Sequence, residues 1–125
     1  MQIVVLIMQR KSIAQGLMQM LKEKAELNIY YESDYKSIDA AIRGHDAQIA
    51  LIEISENGEY NVFQCLSLCE WLRKETPNCK LILMCPEQDK SSINEVVAAK
   101  KDRRIDEFIF YDTSVEYLAT KLMSM

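Results

Sequence analysis

Few residues in this chain combine in patterns that do chemistry. The cysteines are Cys65, Cys69, Cys79 and Cys85, and the only histidine is His45. Cys65 and Cys69 stand four apart, one helical turn, so two thiolates could share a metal. A structural zinc site needs four ligands, and no second pair or neighbouring histidine completes the set. Thiols of this kind serve as small core hydrophobes, and neither a metal centre nor a cofactor is expected. Gly16, Gly44 and Gly58 are the only glycines, and they form no glycine-rich loop that would let backbone approach a phosphate. That disfavours nucleoside-triphosphate and dinucleotide sites. The nucleophile-elbow pattern is absent as well. Carboxylates remain: Glu32, Asp34, Glu53, Glu56, Glu59, Glu87, Asp89 and Asp112 fall at the ends of predicted strands or in the segments after them.

The elements that must position them alternate. Residues 2–7 (QIVVLI) are a continuous apolar run, the pattern of a strand covered on both faces. Further strands are expected at 27–31, 48–54, 80–85 and 106–111. Between them, helical spacing predicts helices at 12–24, 37–43, 60–75, from Ser91 or Ser92 to 99, and 115–123. Ser12 and Ser114 are the expected N-caps of the first and last helices, Gly44 the stop of the second, and Pro77 ends the third. The first helix is expected to bury Ile13, Leu17, Met20 and Leu21. The third should bury Phe63, Leu66, Cys69 and Leu72, and the last Val115, Leu118, Ala119 and Leu122. Residues 55–59, with Asn57-Gly58, read as a turn, and the basic run Lys100, Lys101, Arg103 and Arg104 as a soluble turn.

Five strands alternating with five helices argue for an α/β fold, a five-stranded parallel sheet with helices on both faces. The 125 residues suit one domain, 1–125. Fifteen basic against 19 acidic residues give a net charge of −4, which argues against direct nucleic-acid binding. The apolar run at 3–8 is too short for a signal peptide, and a spanning helix needs about 20 residues. A cytoplasmic protein with no membrane segment is expected.

In such sheets the functional crevice lies at the carboxyl ends of the strands. The segments there are 8–11, 32–34, 53–60, 85–89 and 111–114. No histidine stands on this rim to act as a base. Three stretches resemble one family, the receiver (CheY-like) domain of two-component response regulators, with its flavodoxin-like fold. Ser12-Ile13-Ala14-Gln15-Gly16-Leu17-Met18-Gln19-Met20-Leu21 resembles its first helix. Asp46-Ala47-Gln48-Ile49-Ala50-Leu51-Ile52-Glu53-Ile54 resembles its third strand. Trp71-Leu72-Arg73-Lys74-Glu75-Thr76-Pro77, leading to Leu81-Ile82-Leu83-Met84, resembles the third helix and fourth strand. Ile105-Asp106-Glu107-Phe108-Ile109 is similar to the approach to strand five.

The resemblance implies a phosphorelay module whose functional positions are degenerate here. Two acidic residues after strand one help hold Mg²⁺ in the family; Met8 and Gln9 stand there. The phospho-accepting Asp is matched by Glu53. The Thr or Ser after strand four is matched by Cys85, or by Met84 if the match slips by one. The Lys ending strand five is matched by Tyr111, and the Pro after it by Asp112. Mg²⁺ wants hard oxygen ligands; Met8 offers a thioether and Gln9 one neutral carbonyl. Glu53 is one methylene longer than Asp, and Tyr111 supplies no cation. Phosphoryl transfer depends on positioning and charge stabilisation, so these changes argue against it.

Two readings of Glu53 follow. It is a water-facing carboxylate paired loosely with Arg10 or Lys11, worth about 0–1 kcal/mol, or it mimics a phosphorylated Asp and fixes one signalling state. Tyr111 either packs its ring with the hydroxyl in water or fills the former phosphate pocket. A relocated cation site among the rim carboxylates is a further option. In receivers partners and second copies dock on the face of helix four, strand five and helix five, which here includes Glu116, Tyr117 and Lys121. The leading expectation is a non-enzymatic pseudo-receiver acting through protein contacts with a partner or in a homodimer. The alternatives are a phosphorelay receiver with an unorthodox acceptor, and a small-molecule or thiol sensor using the pocket near Cys85.

Overall fold

The five apolar runs become one parallel sheet in the computed structural model, which describes residues 2–55 and 58–125. The strands are β1 (Gln2–Ile7), β2 (Leu27–Glu32), β3 (Ile49–Glu53), β4 (Lys80–Cys85) and β5 (Glu107–Phe110). The helices are α1 (Lys11–Lys24), α2 (Ile38–His45), α3 (Val62–Glu75), α4 (Lys90–Lys101) and α5 (Val115–Ser124), with a 3-10 turn at Tyr35–Ser37. Strand order is β2-β1-β3-β4-β5, all parallel. This is the flavodoxin-like receiver fold. The order reverses between β1 and β3, so the crevice of such a sheet opens above their carboxyl ends.

Alternation along the strands divides the core into two layers. Val5, Ile7, Ala50, Ile52, Leu83 and Cys85 face α2, α3 and α4. Val4, Leu6, Ile49, Leu51 and Met84 face α1 and α5. Both faces of the sheet are covered, which is why the strands read as unbroken apolar runs.

Several local expectations change. Helix α1 starts at Lys11, not after a Ser12 cap, and Arg10 at the N-cap makes no side-chain cap bond. Its inward stripe is Ala14, Leu17, Met18 and Leu21; Ile13 and Met20 are exposed at 45% and 46%. The small Ala14, fully buried, brings the helix onto the sheet, and one residue of rotation turns Ile13 outward. In α3 the exposed Phe63 yields to Val62 and Cys65 for the same reason, and Asn61 caps the helix by accepting from the Gln64 N–H.

Helix α2 runs through Gly44, and Asp46 (φ 53°) takes the left-handed position instead, its N–H closing on Ile42 and Arg43. Asp89 caps α4, not Ser91 or Ser92; Ser92 is buried and donates its hydroxyl to Asp89 at 2.6 Å. The helix extends to Lys101, into the expected basic turn. That run is also partly used: Lys100 pairs with Glu107 at 2.7 Å, and Arg103 adopts φ 59°. Ser114 caps α5 as expected, and Leu118, Ala119 and Leu122 are its buried face, with Val115 half-buried. In the turn after β3 the Ser55 N–H reaches the Tyr60 carbonyl at 2.8 Å. Gly58 there has φ 127°, a conformation that suits only glycine. Asn57 lies outside the described residues. Among the described residues no helix is long and apolar enough to cross a membrane.

Candidate functional site

Glu53 is the last residue of β3. Alternation sends Ile49, Leu51 and therefore Glu53 to the α1 side of the sheet. The chain leaving β1 turns over this position, because β1 and β3 are neighbours at the switch point. The Gln9 N–H donates to Glu53 Oε1 at 3.0 Å. Arg10 donates to Oε2 from Nε at 2.9 Å and from Nη2 at 2.6 Å. Arg10 can do this because its backbone is extended (φ −89°, ψ 93°), one residue before the helix begins.

The carboxylate is thus buried, at 2% exposure, and both oxygens accept bonds. That corrects the water-facing reading: the partner is Arg10, and the pair is built in. Tyr111 supplies no cation, as expected from its type; the cation bonded to Glu53 is Arg10. Sequence reasoning named Arg10 only as a loose neighbour. The missed signal was the alternation Ile49, Leu51, Glu53, which puts Glu53 on the face of the sheet that Ile49 and Leu51 share.

Tyrosines surround the pair. The Arg10 guanidinium carbon lies 5.0 Å from the centre of the Tyr111 ring, a cation–π contact. The Tyr111 hydroxyl donates to the Ile54 carbonyl and is not sent to water. The Tyr35 hydroxyl donates to the Glu53 carbonyl at 2.5 Å, and the Tyr31 hydroxyl to the Met8 carbonyl at 2.8 Å. Tyr60 stacks on Tyr35 with ring centres 4.1 Å apart. Burial pushes the Tyr35 phenol well above its ordinary range, and the thiol of Cys65 and the charge of Glu53 add to it. Tyr35 therefore stays a donor. Three carbonyls at the ends of β1 and β3 are held by three phenols.

Of the other positions singled out from sequence, Met8 is fully buried in the α1 layer and Gln9 contributes its main-chain N–H. Met84 is the register partner of Glu53 and shares its face. Cys85, one residue on, points to the opposite layer, fully buried, with Sγ 3.6 Å from the Pro86 carbonyl. Burial raises its thiol to about 11, and Asp89 and Glu87 push in the same direction. A reactive thiol needs the reverse shift and access to solvent, so the burial of Cys85 argues against the thiol-sensor reading. Cys65, Cys69 and Cys79 are also buried and free, their thiols raised chiefly by burial.

On the helix-five side, Lys121 reaches Glu107 at 2.7 Å, and Tyr117 is 55% exposed. Glu116 is exposed and pairs with Lys24 of α1 at 3.3 Å. The rim carboxylates are mostly occupied locally. Glu32 accepts from the Asp34 N–H, Asp34 from the Lys36 N–H, and Asp89 caps α4. Among the described residues no three His, Cys, Asp or Glu side chains gather as a metal group; Glu56 lies outside them. The groups bonded to Glu53 do not fit Mg²⁺ either: a main-chain N–H and a guanidinium, both donors, take its two oxygens.

No model of a known protein family matches the sequence, and no curated protein matches it. Solved structures do match in fold. A DNA-binding response regulator of the LuxR family from Staphylococcus aureus superposes with a TM-score of 0.79 at 14% identity, over 99% of this chain and 98% of that one. A response regulator receiver domain protein from Clostridium thermocellum gives 0.80 at 11% identity, over 99% and 93%. A two-component response regulator from Clostridium difficile gives 0.77 at 18%, over 99% and 94%. The chain therefore has the receiver fold.

Proposed function

We propose that this protein is a receiver-like signalling module that works through protein–protein contacts and does not transfer phosphate. One observation carries the reading. The carboxylate at the acceptor position is buried, and the backbone N–H of Gln9 and the guanidinium of Arg10 already bond both its oxygens. A nucleophilic carboxylate must present a lone pair to phosphorus while a metal or lysine draws off charge. Here the lone pairs point at a resident arginine. In this reading Glu53 and Arg10 hold the rim in one arrangement, as a carboxylate standing in for a phosphorylated Asp would. The module is not an enzyme, acts in the cytoplasm, and meets a partner or second copy on the α4–β5–α5 face near Tyr117 and Lys121.

Intact-mass spectrometry after incubation with Mg²⁺ and acetyl phosphate tests this, with a competent receiver labelled in parallel. No mass gain is expected. Gain of one phosphoryl group, removed by hydroxylamine, would overturn the proposal in favour of phosphorelay through an unorthodox acceptor.

A further inference from the structure

Helix α3 packs Val62, Cys65, Leu66, Cys69 and Leu72 inward and turns its other side to water. Phe63, Gln64, Ser67, Glu70, Trp71 and Lys74 are all exposed. At about 100° per residue these positions fall within one arc centred on Ser67. The solvent side of such a helix is ordinarily polar. Here it carries a phenylalanine that is 56% exposed and the chain's single tryptophan, 42% exposed. The two rings stand four residues before and four after Ser67, so one ridge runs from Phe63 over a small residue to Trp71.

The charges along the ridge say what covers it. Arg73 and Glu75 are used within the chain, by Asp106 at 3.0 Å and by Arg43 at 2.9 Å. Among the described residues, Glu59, Glu70 and Lys74 have no salt-bridge partner. Glu59 is exposed just before the helix, and Lys74 lies in its last turn. The face thus begins acidic and ends basic, and it complements itself in the antiparallel sense. With two copies crossing at Ser67, each position lies level with the one equally far on the other side of Ser67. Phe63 meets Trp71, and the Gln64 amide meets the Glu70 carboxylate as a donor. Lys74 comes level with Tyr60, beside Glu59. A parallel pair would instead set Lys74 on Lys74 and Glu70 on Glu70, which like charge opposes. We infer that two copies of this chain associate through α3, antiparallel about a two-fold axis at Ser67. The symmetry makes each pairing twice, and ridges of this spacing interlock at a crossing angle of about −50°. Each ring offers about 100 Å² of exposed surface. A contact of one helix per copy falls well short of the roughly 1,600 Å² of a stable complex, so the dimer is weak and reversible. The inference does not rest on the absence of phosphate transfer, and it leaves the α4–β5–α5 face to a different protein.

Sedimentation equilibrium of the intact chain, from micromolar to millimolar concentration, tests this, with Trp71 fluorescence as a second readout. A reversible monomer–dimer equilibrium is expected, and the emission should shift to the blue as the dimer fills. Ser67→Glu sets two like charges together at the axis and should weaken the dimer at least about tenfold. Ser67 is exposed and glutamate is a good helix former, so this variant should keep its native circular dichroism. Glu59→Lys or Lys74→Glu alone should weaken the dimer several-fold, and the two reversals combined should restore it. A wild type that stays monomeric would overturn the inference. So would a dimer indifferent to Ser67→Glu, or a double reversal no better than the single ones. A dimer broken by Tyr117→Ala and not by Ser67→Glu would also overturn it, placing the second copy on the α4–β5–α5 face.

Discussion

Of the carboxylates paired with built-in cations, Glu53 and Glu107 do opposite things. Glu53 ends a central strand and is sealed from water by one arginine from the adjoining loop. Glu107 begins the edge strand β5 and is gripped by two lysines from different helices, Lys100 of α4 and Lys121 of α5, each at 2.7 Å. The first arrangement uses up a carboxylate at the place where the fold usually does its work. The second ties two helices across a strand end, on a face that still offers Tyr117 to a partner. Burial makes the difference. A sealed charge must keep its partner, whereas an accessible one can fall back on water.

The largest effect should come from Arg10→Ala. It leaves the Glu53 charge buried and should cost about 3 kcal/mol in urea unfolding. Adding Glu53→Gln should recover a good part of that loss. Lys11→Ala, on an exposed neighbour, should cost under about 0.5 kcal/mol. Equal losses for Arg10→Ala and Lys11→Ala would erase the contrast between sealed and open charges. Next, Tyr35→Phe removes the hydroxyl that holds the Glu53 carbonyl and should cost about 1–2 kcal/mol by the same measurement.

The edge clamp predicts less. Burial by itself would raise the Glu107 carboxyl, but bonds from Lys100 and Lys121 outweigh it and hold the group below its ordinary value. A carboxyl lowered in the folded state stabilises fully above its unfolded value, about 4.3, and loses that contribution as pH falls from there through its folded value. Glu107→Gln should therefore cost about 1 kcal/mol near neutrality, and the gap to wild type should close as pH falls through the lowered folded-state value, read as urea midpoints. Smallest of all, Tyr117→Ala should change stability by less than about 0.5 kcal/mol. Its effect belongs in sedimentation equilibrium, where it should weaken self-association if a second copy uses this face.

What sequence could and could not reveal follows the same division. β4 was legible to the residue because KLILMC is apolar on both faces and bounded by polar turns. The last helix was legible because Ser114 is a capping residue directly before an apolar period. The inward stripes of α1 and α3 were not. Ile13 and Ala14, or Phe63 and Val62, are adjacent apolar residues, and only packing decides which one the sheet accepts. Caps failed where two candidates competed: Asp89 lies close before Ser91 and Ser92, and Asp46 close after Gly44. At the site, both Glu53 and Arg10 stood out by residue type. Their burial depended on strand order, which places β1 beside β3, and on the tyrosines that close over them from β2, the 3-10 turn, the turn after β3 and the end of β5.

The Arg10–Glu53 pair also bears on time. It joins residues 43 positions apart, at the far end of the β1–β3 ladder. It can form only after both strands have aligned, when most of the chain-closure entropy has already been lost. A contact made this late stabilises the native state without speeding its formation, so weakening it should leave the refolding rate almost unchanged and raise the unfolding rate. The ion pair thus acts as a latch on the lifetime of the folded state.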